Sequence, residues 1–386
     1  MKKNSSNIPS GYKPSPLGPI PEDWEVKRLG EICTHFKSGN TITSKDIHDD
    51  GLYPVYGGNG LRGYANTFTH DGNYILIGRQ GALCGNINYV KGKNYISEHA
   101  IAVQTNENMQ WLKYKLENWN LNRFSESSAQ PGLSVEKLVR YKLVIPTRLE
   151  QNKIADILQL WDTAIAKQTA LIEQLTLRKR GLMQQLLTGK QRLKGFEGGN
   201  FHRLGNYISE CNRRNVGCNR VLSVTNTRGF ILQEEQFDKI VASNDTSNYK
   251  VVCRGEFAYN PSRVNVGSLA MLNDYDEGIL SPMYIVFKAN ENIDKTYLLQ
   301  CLQSWWFRGH IPAYTQGSVR DSLSFDGLCS MKFYIPTLQE QKAISAILER
   351  ADKEIEIQKQ KLAAMQEQKK GLMQVLLTGK RRITNQ

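Results

Sequence analysis

Two stretches of the chain repeat one pattern of apolar and polar positions. From Ile154 the pattern steps alternately by four and three through Leu158, Trp161, Ile165, Gln168, Ile172, Leu175, Lys179, Leu182 and Leu186. From Ile344 the same steps run through Leu348, Ala351, Ile355, Gln358, Leu362, Met365, Lys369, Leu372 and Leu376. A 4-3 seam held over several heptads predicts a coiled coil rather than the broader stripe of an ordinary surface helix. The interruptions coincide, Gln168 with Gln358 and Lys179 with Lys369. Polar groups in a seam weaken packing but fix register, so the two helices are expected to pair with each other. The alternative is that each packs separately on its own domain.

The likeness extends beyond the seam. Residues Ile145 to Leu193 align without a gap on Ile335 to Ile383, framed by the shared signatures IPT..EQ and KxGLMQxLLTGK. Chance similarity of two amphipathic helices would match the apolar pattern but not those frames, so the segment is an internal duplication. Thr147 with Glu150, and Thr337 with Glu340, have the spacing of a capping box at a helix start. Gly189 and Gly379 fit the position past a helix end where positive φ is needed, with Lys190 and Lys380 beside the negative end of the dipole.

Between the helices lie two segments that open alike, KRLGEI against HRLGNYI, and close alike, YKLVIPT against MKFYIPT. ISEHAIAVQTNEN has a weak counterpart in LSPMYIVFKANEN, and the remainder diverges. Short β-rich runs (YILIG from Tyr74, AIAVQ from Ala100, YIVFK from Tyr284) predict strands joined by loops, with short helices near Trp111 to Trp119 and Tyr297 to Trp306. The expected fold is α+β: two mixed α/β domains separated by two long antiparallel coiled-coil helices in a pseudo-two-fold repeat. The boundaries are an extended, proline-bearing N-terminal arm at 1–21, a first domain at 22–146, a first helix at 147–190, a second domain at 191–336, a second helix at 337–380 and a tail at 381–386.

Charge gives the domains a partner. The 386 residues carry a formal net charge of +13, which favours a polyanion because clustered Lys and Arg displace counterions from phosphates. The first domain holds YPVYGGNGLRGY and IGRQGALCGN, glycine-rich turns with side chains of the types that read base edges or touch phosphates. Its candidates are Tyr56, Asn59, Arg62, Tyr64, Arg79, Gln80, Lys91 and Lys93. Those of the second domain are Arg213, Arg214, Asn226, Arg228, Arg263, Asn265 and Arg320. A seam from Ile154 to Leu186 makes a rod of roughly 48 Å, enough to hold two reading heads about one turn of DNA, ~34 Å, or more apart.

Catalytic signatures are missing. TGKQ and TGKR lack the remainder of a phosphate-binding P-loop. Asn260-Pro261-Ser262 resembles the start of the Asn-Pro-Pro-aromatic motif of adenine methyltransferases but lacks its second proline and its aromatic residue. Glu22, Asp23, Glu25 and Lys27 read as a domain edge rather than as a metal-nuclease set. The seven cysteines are scattered and never spaced CxxC, as expected of reduced thiols in the cytoplasm. The six histidines form no metal-binding pair, and each is expected to be an isolated structural or surface residue. No apolar run approaches the ~20 residues that span a bilayer, and the N-terminus lacks the apolar core of a secretory signal. No cofactor, metal or catalytic residue of its own is expected.

From IPEDWEVKRLGEI to LLTGKRR the chain resembles the specificity (S) subunits of type I restriction-modification systems, most specifically in the paired IPTxxEQ and KxGLMQxLLTGK blocks. The resemblance implies a non-catalytic subunit in which two target-recognition domains each read half of a bipartite double-stranded DNA sequence. It also implies helices that separate those domains and dock two copies of an adenine methyltransferase, joined by restriction subunits with translocase activity. S-adenosylmethionine, ATP and Mg²⁺ would belong to those partners. Because the two domains differ, the implied target is asymmetric. The competing expectations are a stand-alone DNA-binding scaffold and an autonomous endonuclease.

Overall fold

The computed structural model describes residues 8–81, 83–125, 132–236, 245–315 and 322–383. The chain divides into two compact units, Met1–Thr169 with Gln360–Gln386, and Ala170–Lys359. Each of the two long helices, Arg148–Leu186 and Leu338–Leu376, is shared between them.

In the first unit an antiparallel sheet orders its strands Cys33–Ser38, Ala100–Thr105, Tyr74–Gly78, Ile87–Val90. The central pair carries the β-branched and aliphatic runs read from the sequence, and all of Tyr74–Gly78 is buried. A second four-stranded sheet orders Gly60–Ala65, Tyr53–Gly57, Lys93–Ile96, His70–Asp71 and contains one parallel pair, Tyr53–Gly57 with Lys93–Ile96. Glu25–Arg28 pairs with Lys142–Ile145, so the opening and closing signatures of the domain form one ladder. The helix Met109–Asn118 is capped by the Asn108 side chain, which accepts from the Trp111 N–H. Trp24, Trp111, Leu143, Ile154 and Leu158 share one core.

The second unit repeats the frame. Its four-stranded sheet orders Ile208–Glu210, Ile285–Ala289, Phe257–Tyr259, Leu269–Met271, with Asn200–Arg203 laddered to Lys332–Ile335. Beside this sheet are two antiparallel pairs, the hairpin Leu222–Thr225 with Gly229–Leu232, and Lys250–Cys253 with Glu277–Leu280, which enclose two strands of the sheet in sequence. Asp294 caps the helix Lys295–Gln303, and an additional short helix, Trp305–His310, follows it.

Within each unit the two long helices pair antiparallel. In the first, Lys369 Nζ meets Asp162 Oδ1 at 2.5 Å and the Tyr114 hydroxyl donates to the other carboxylate oxygen at 2.6 Å. In the second, Lys179 Nζ meets Asp352 at 2.5 Å and Gln300 donates to its other oxygen at 3.4 Å. The seam lysines therefore carry a partner in the facing helix, and every apolar or Gln seam position is buried or half-buried. Pairing does not exclude packing on the domains: Ile154 and Leu158 lie in the first core, Ile344 and Leu348 in the second.

The expected capping boxes are used differently. Thr147 and Thr337 each accept from the N–H three residues on, at 3.4 Å, but the glutamates turn to the end of the other helix. Glu150, 4% exposed, accepts from Trp24 Nε1 at 2.8 Å and from Arg382 at 2.8 and 3.1 Å. Glu340, 1% exposed, is held by Arg192. The following glutamine closes the joint: Gln151 donates to the Pro146 carbonyl at 3.0 Å and accepts from the Asn108 N–H at 2.9 Å, and Gln341 accepts from Asp294 at 2.7 Å. The helix ends follow expectation, with Gly189 at φ +70° and Gly379 at φ +76°.

Two other expectations need correction. The described part of the N-terminal arm is not extended: Tyr12–Lys13 pairs with Ile20–Pro21 across a turn, with Gly11 and Gly18 at positive φ, and the Tyr12 hydroxyl donates to the Gly379 carbonyl at 2.7 Å. The histidines are not all isolated. His35 and His70 meet edge to face at 5.7 Å beside Tyr74, and burial lowers the basicity of both rings.

Replacing Arg382 by Ala would strand a buried carboxylate with no charged partner, left with the Trp24 indole N–H and the longer bond from the Ile383 N–H at 3.4 Å. A loss of about 2–3 kcal/mol is expected in urea unfolding, with a smaller loss for Arg382→Lys, which keeps charge but not the fork. Lys115 is a second test. Its amine, 3% exposed, donates to the Leu377 carbonyl at 2.5 Å, and burial lowers its pKa to about 7. From pH 7 to about 10 the unfolded chain binds the extra proton, so stability rises with pH by up to about 1.4 kcal/mol per unit. Lys115→Met should flatten that slope in unfolding curves recorded from pH 7 to 9.

Candidate nucleic-acid interface

The glycines of the first domain let a hairpin tip lie against a strand end. A Cβ on Gly58 would sit 2.9 Å from the His99 carbonyl oxygen and 3.3 Å from Gly78 Cα, an approach only glycine permits. The tip thereby carries Asn59 and Arg62 to the end of Tyr74–Gly78, where Arg79 and Gln80 follow. Arg79 is anchored through its backbone, donating to His99 and accepting from Leu133, both at 2.9 Å. Asn59, Arg62 and Gln80 are exposed and Arg79 is half-buried. Two guanidinium groups and two amides are thus grouped on one edge, the donor and acceptor set that addresses guanine and adenine in the major groove.

Sequence reasoning misses the neighbour that completes the group. His99 Nδ1 lies 3.2 Å from Gln80 Oε1 and its Nε2 lies 3.2 Å from Glu98. Both residues stand in ISEHA, whose pattern suggests only the lead into a strand. Tyr56 and Tyr64 are half-buried on the two strands of the hairpin. Lys91 and Lys93 are not part of the cluster. They flank the turn next to Val90, which pairs with Tyr74 at the opposite end of that strand, and their ammonium groups lie over Tyr89 and Phe68 at 5.8 and 4.8 Å.

In the second domain a Cβ on Gly267 would lie 3.3 Å from Asn226 Cβ and 3.4 Å from Arg308 Nη2. Asn226 therefore adjoins the loop of Arg263 and Asn265, and all three are exposed. Arg308, on the added short helix, joins them, although no motif in the sequence singles it out. The other arginines are held by the fold: Arg213 by Glu256, which also accepts from the Cys253 N–H at 2.8 Å, Arg214 by the Asn248 carbonyl at 2.5 Å, and Arg228 by Glu235 at 3.4 Å. Arg320 lies outside the described residues.

Among the described residues no group of three His, Cys, Asp or Glu could hold a metal ion, and no helix is long and apolar enough to cross a membrane. All seven cysteines are free, and burial raises the Cys33 and Cys301 thiols to about 12, far from the thiolate a nucleophile needs.

A family model described as the type I restriction modification DNA specificity domain matches residues 21–177 and 234–367. The chain belongs to this family. It is 26% identical over 411 residues to the MjaVIII type I restriction enzyme specificity subunit of Methanocaldococcus jannaschii, covering 95% of each chain. It is 44% identical over 172 residues to the EcoprrI specificity subunit of Escherichia coli, spanning 42% of each. In fold it is similar to the crystal structure of the type I restriction-modification S subunit from M. genitalium, with a TM-score of 0.58 at 14% identity over 94% of this chain and 97% of that one. A chain from a study of complex assembly and conformational transition in the type I restriction-modification system gives 0.59 over 94% and 99%.

The two kinds of basic residue in the first domain should behave differently in anisotropy titrations. Arg62→Ala is expected to cost about 1–3 kcal/mol on the preferred DNA and to relax one base position. Lys91→Ala with Lys93→Ala should weaken all sequences alike and reduce the salt slope by about 0.9 for each phosphate no longer neutralised.

Proposed function

We propose that the chain is the non-catalytic, sequence-reading subunit of a type I restriction-modification complex. Each α/β domain reads one half of an asymmetric bipartite double-stranded DNA target, the first through Asn59, Arg62, Arg79 and Gln80, the second through Asn226, Arg263 and Asn265. The long helices set the unread gap and dock two copies of an adenine methyltransferase. S-adenosylmethionine, ATP and Mg²⁺ are then the business of the methyltransferase and of restriction subunits with translocase activity. The observation that supports this reading is one duplicated frame carrying two unlike sets of polar side chains at loop edges, two Arg with Asn and Gln in the first unit and one Arg with two Asn in the second.

Deleting the chain should erase one gapped, two-part adenine-methylation motif from the methylome of the cell; survival of every such motif would sink the proposal. The spacer role is tested separately. Four residues, about one helical turn, inserted after Thr169 and again after Lys359 leave the Lys–Asp pair of each unit in place. The motif should keep both halves and gain a longer gap.

A further inference from the structure

The second unit contains an open groove of about 790 Å³ between the end of the first long helix, the strand Lys332–Ile335 and the short helix Trp305–His310. Its walls are apolar, built from Met183, Leu187, Phe201, Trp305 and Phe333. Trp305 is 73% exposed and Phe201 54%, a large apolar area to leave in water. Arg180 and Lys190 stand on the rim, and no carboxylate lines the groove among the described residues.

The duplication supplies a second copy of the same place. Thr188, Cys301 and Phe333 of the groove correspond to Thr378, Lys115 and Leu143, which line the equivalent space of the first unit. That space is about 380 Å³, and Leu17, Pro19 and Ile20 of the N-terminal arm form one of its walls. Ile20 is 3% exposed, and Asp23, three residues on, pairs with Arg382 at 2.7 Å. In one half of the molecule, then, the site is narrowed on one side by an apolar, proline-bearing stretch that runs into Glu22 and Asp23. In the other half no residue from 191 to 200 lines the groove.

We propose that the groove of the second unit receives an extended, proline-containing apolar segment with acidic residues after it, supplied by a partner subunit. Aromatic walls accept preformed proline-rich chain at low entropic cost. Of the four cationic side chains that line the groove, Lys179 is paired with Asp352, while Arg180, Lys190 and Arg308 face no acid among the described lining residues and favour carboxylates over a neutral or basic tail. The chain's own Leu17–Trp24 stretch, LGPIPEDW, has this chemistry and serves as the probe.

The experiment titrates a fluorescein-labelled LGPIPEDW peptide with the full chain and with Trp305→Ala and Arg180→Glu/Lys190→Glu variants, all at exposed positions. Saturable micromolar binding is expected, weakened at least tenfold by either variant and by replacing the acidic pair of the peptide with lysines, while DNA affinity stays unchanged. Absence of binding, or binding indifferent to Trp305→Ala, overturns the proposal. Sedimentation velocity supplies the other outcome: a dimer of the wild-type chain that Trp305→Ala dissolves would mean that a second copy covers the groove, and would overturn it equally. Loss of DNA reading would leave the peptide result standing, so the two functional claims fail independently.

Discussion

Everything in this fold depends on a buried carboxylate at the start of each long helix being neutralised by an arginine from just past the end of the other. Glu150 with Arg382 and Glu340 with Arg192 are the same ion pair made twice. A carboxylate this deeply buried is tolerated only with a charged, hydrogen-bonding partner. Because that partner lies beyond the opposite end of the companion helix, satisfying it forces the two helices to run antiparallel in a single register. The Lys–Asp pairs several turns inward repeat the same constraint at a second level.

The clamp also explains why the two halves resemble each other where they do. Among the residues that match across the duplication, the Glu-Gln pair and the seam lysine make hydrogen bonds that cross between elements, whereas the threonines of the entry and exit signatures bond within their own helix. Where side chains face solvent at the loop edges, the halves diverge. The first builds a second sheet and a glycine hairpin; the second builds two short strand pairs and an added helix. The pairing of Lys115 with Cys301 at matching sites shows divergence even in a buried position: one half sets an amine against the Leu377 carbonyl, where the other buries a thiol beside Tyr297.

Much of this was legible in the chain. The seam, the helix ends, the principal strands and the matched domain frames could be read because each depends on local periodicity or on a repeat. The partner of Glu150 could not, since a capping box and an interhelical clamp call for the same residue at the same spacing, and only Arg382, 232 residues away, distinguishes them. The folding back of the arm was hidden for a like reason: prolines suggested extension, while the docking of Tyr12 on Gly379 depends on an encounter no local pattern contains. The clusters on the domains were legible as residue types and not as groups. Asn59, Arg62, Arg79 and Gln80 come together because Gly58 admits the His99 carbonyl, whereas Lys91 and Lys93, equally suggestive in the sequence, fall at the far end of the same strand.

The Gln151 and Gln341 amides have a mechanical meaning. Each ties the entry of a long helix to the cap of a domain helix, giving one hydrogen bond to the proline carbonyl before the helix and one to the domain loop, and taking a third from the N–H of the cap residue. A domain mounted in this way shares one amide between its own helix cap and the first turn of the long helix, so the orientation of the domain is set at the point where that helix begins.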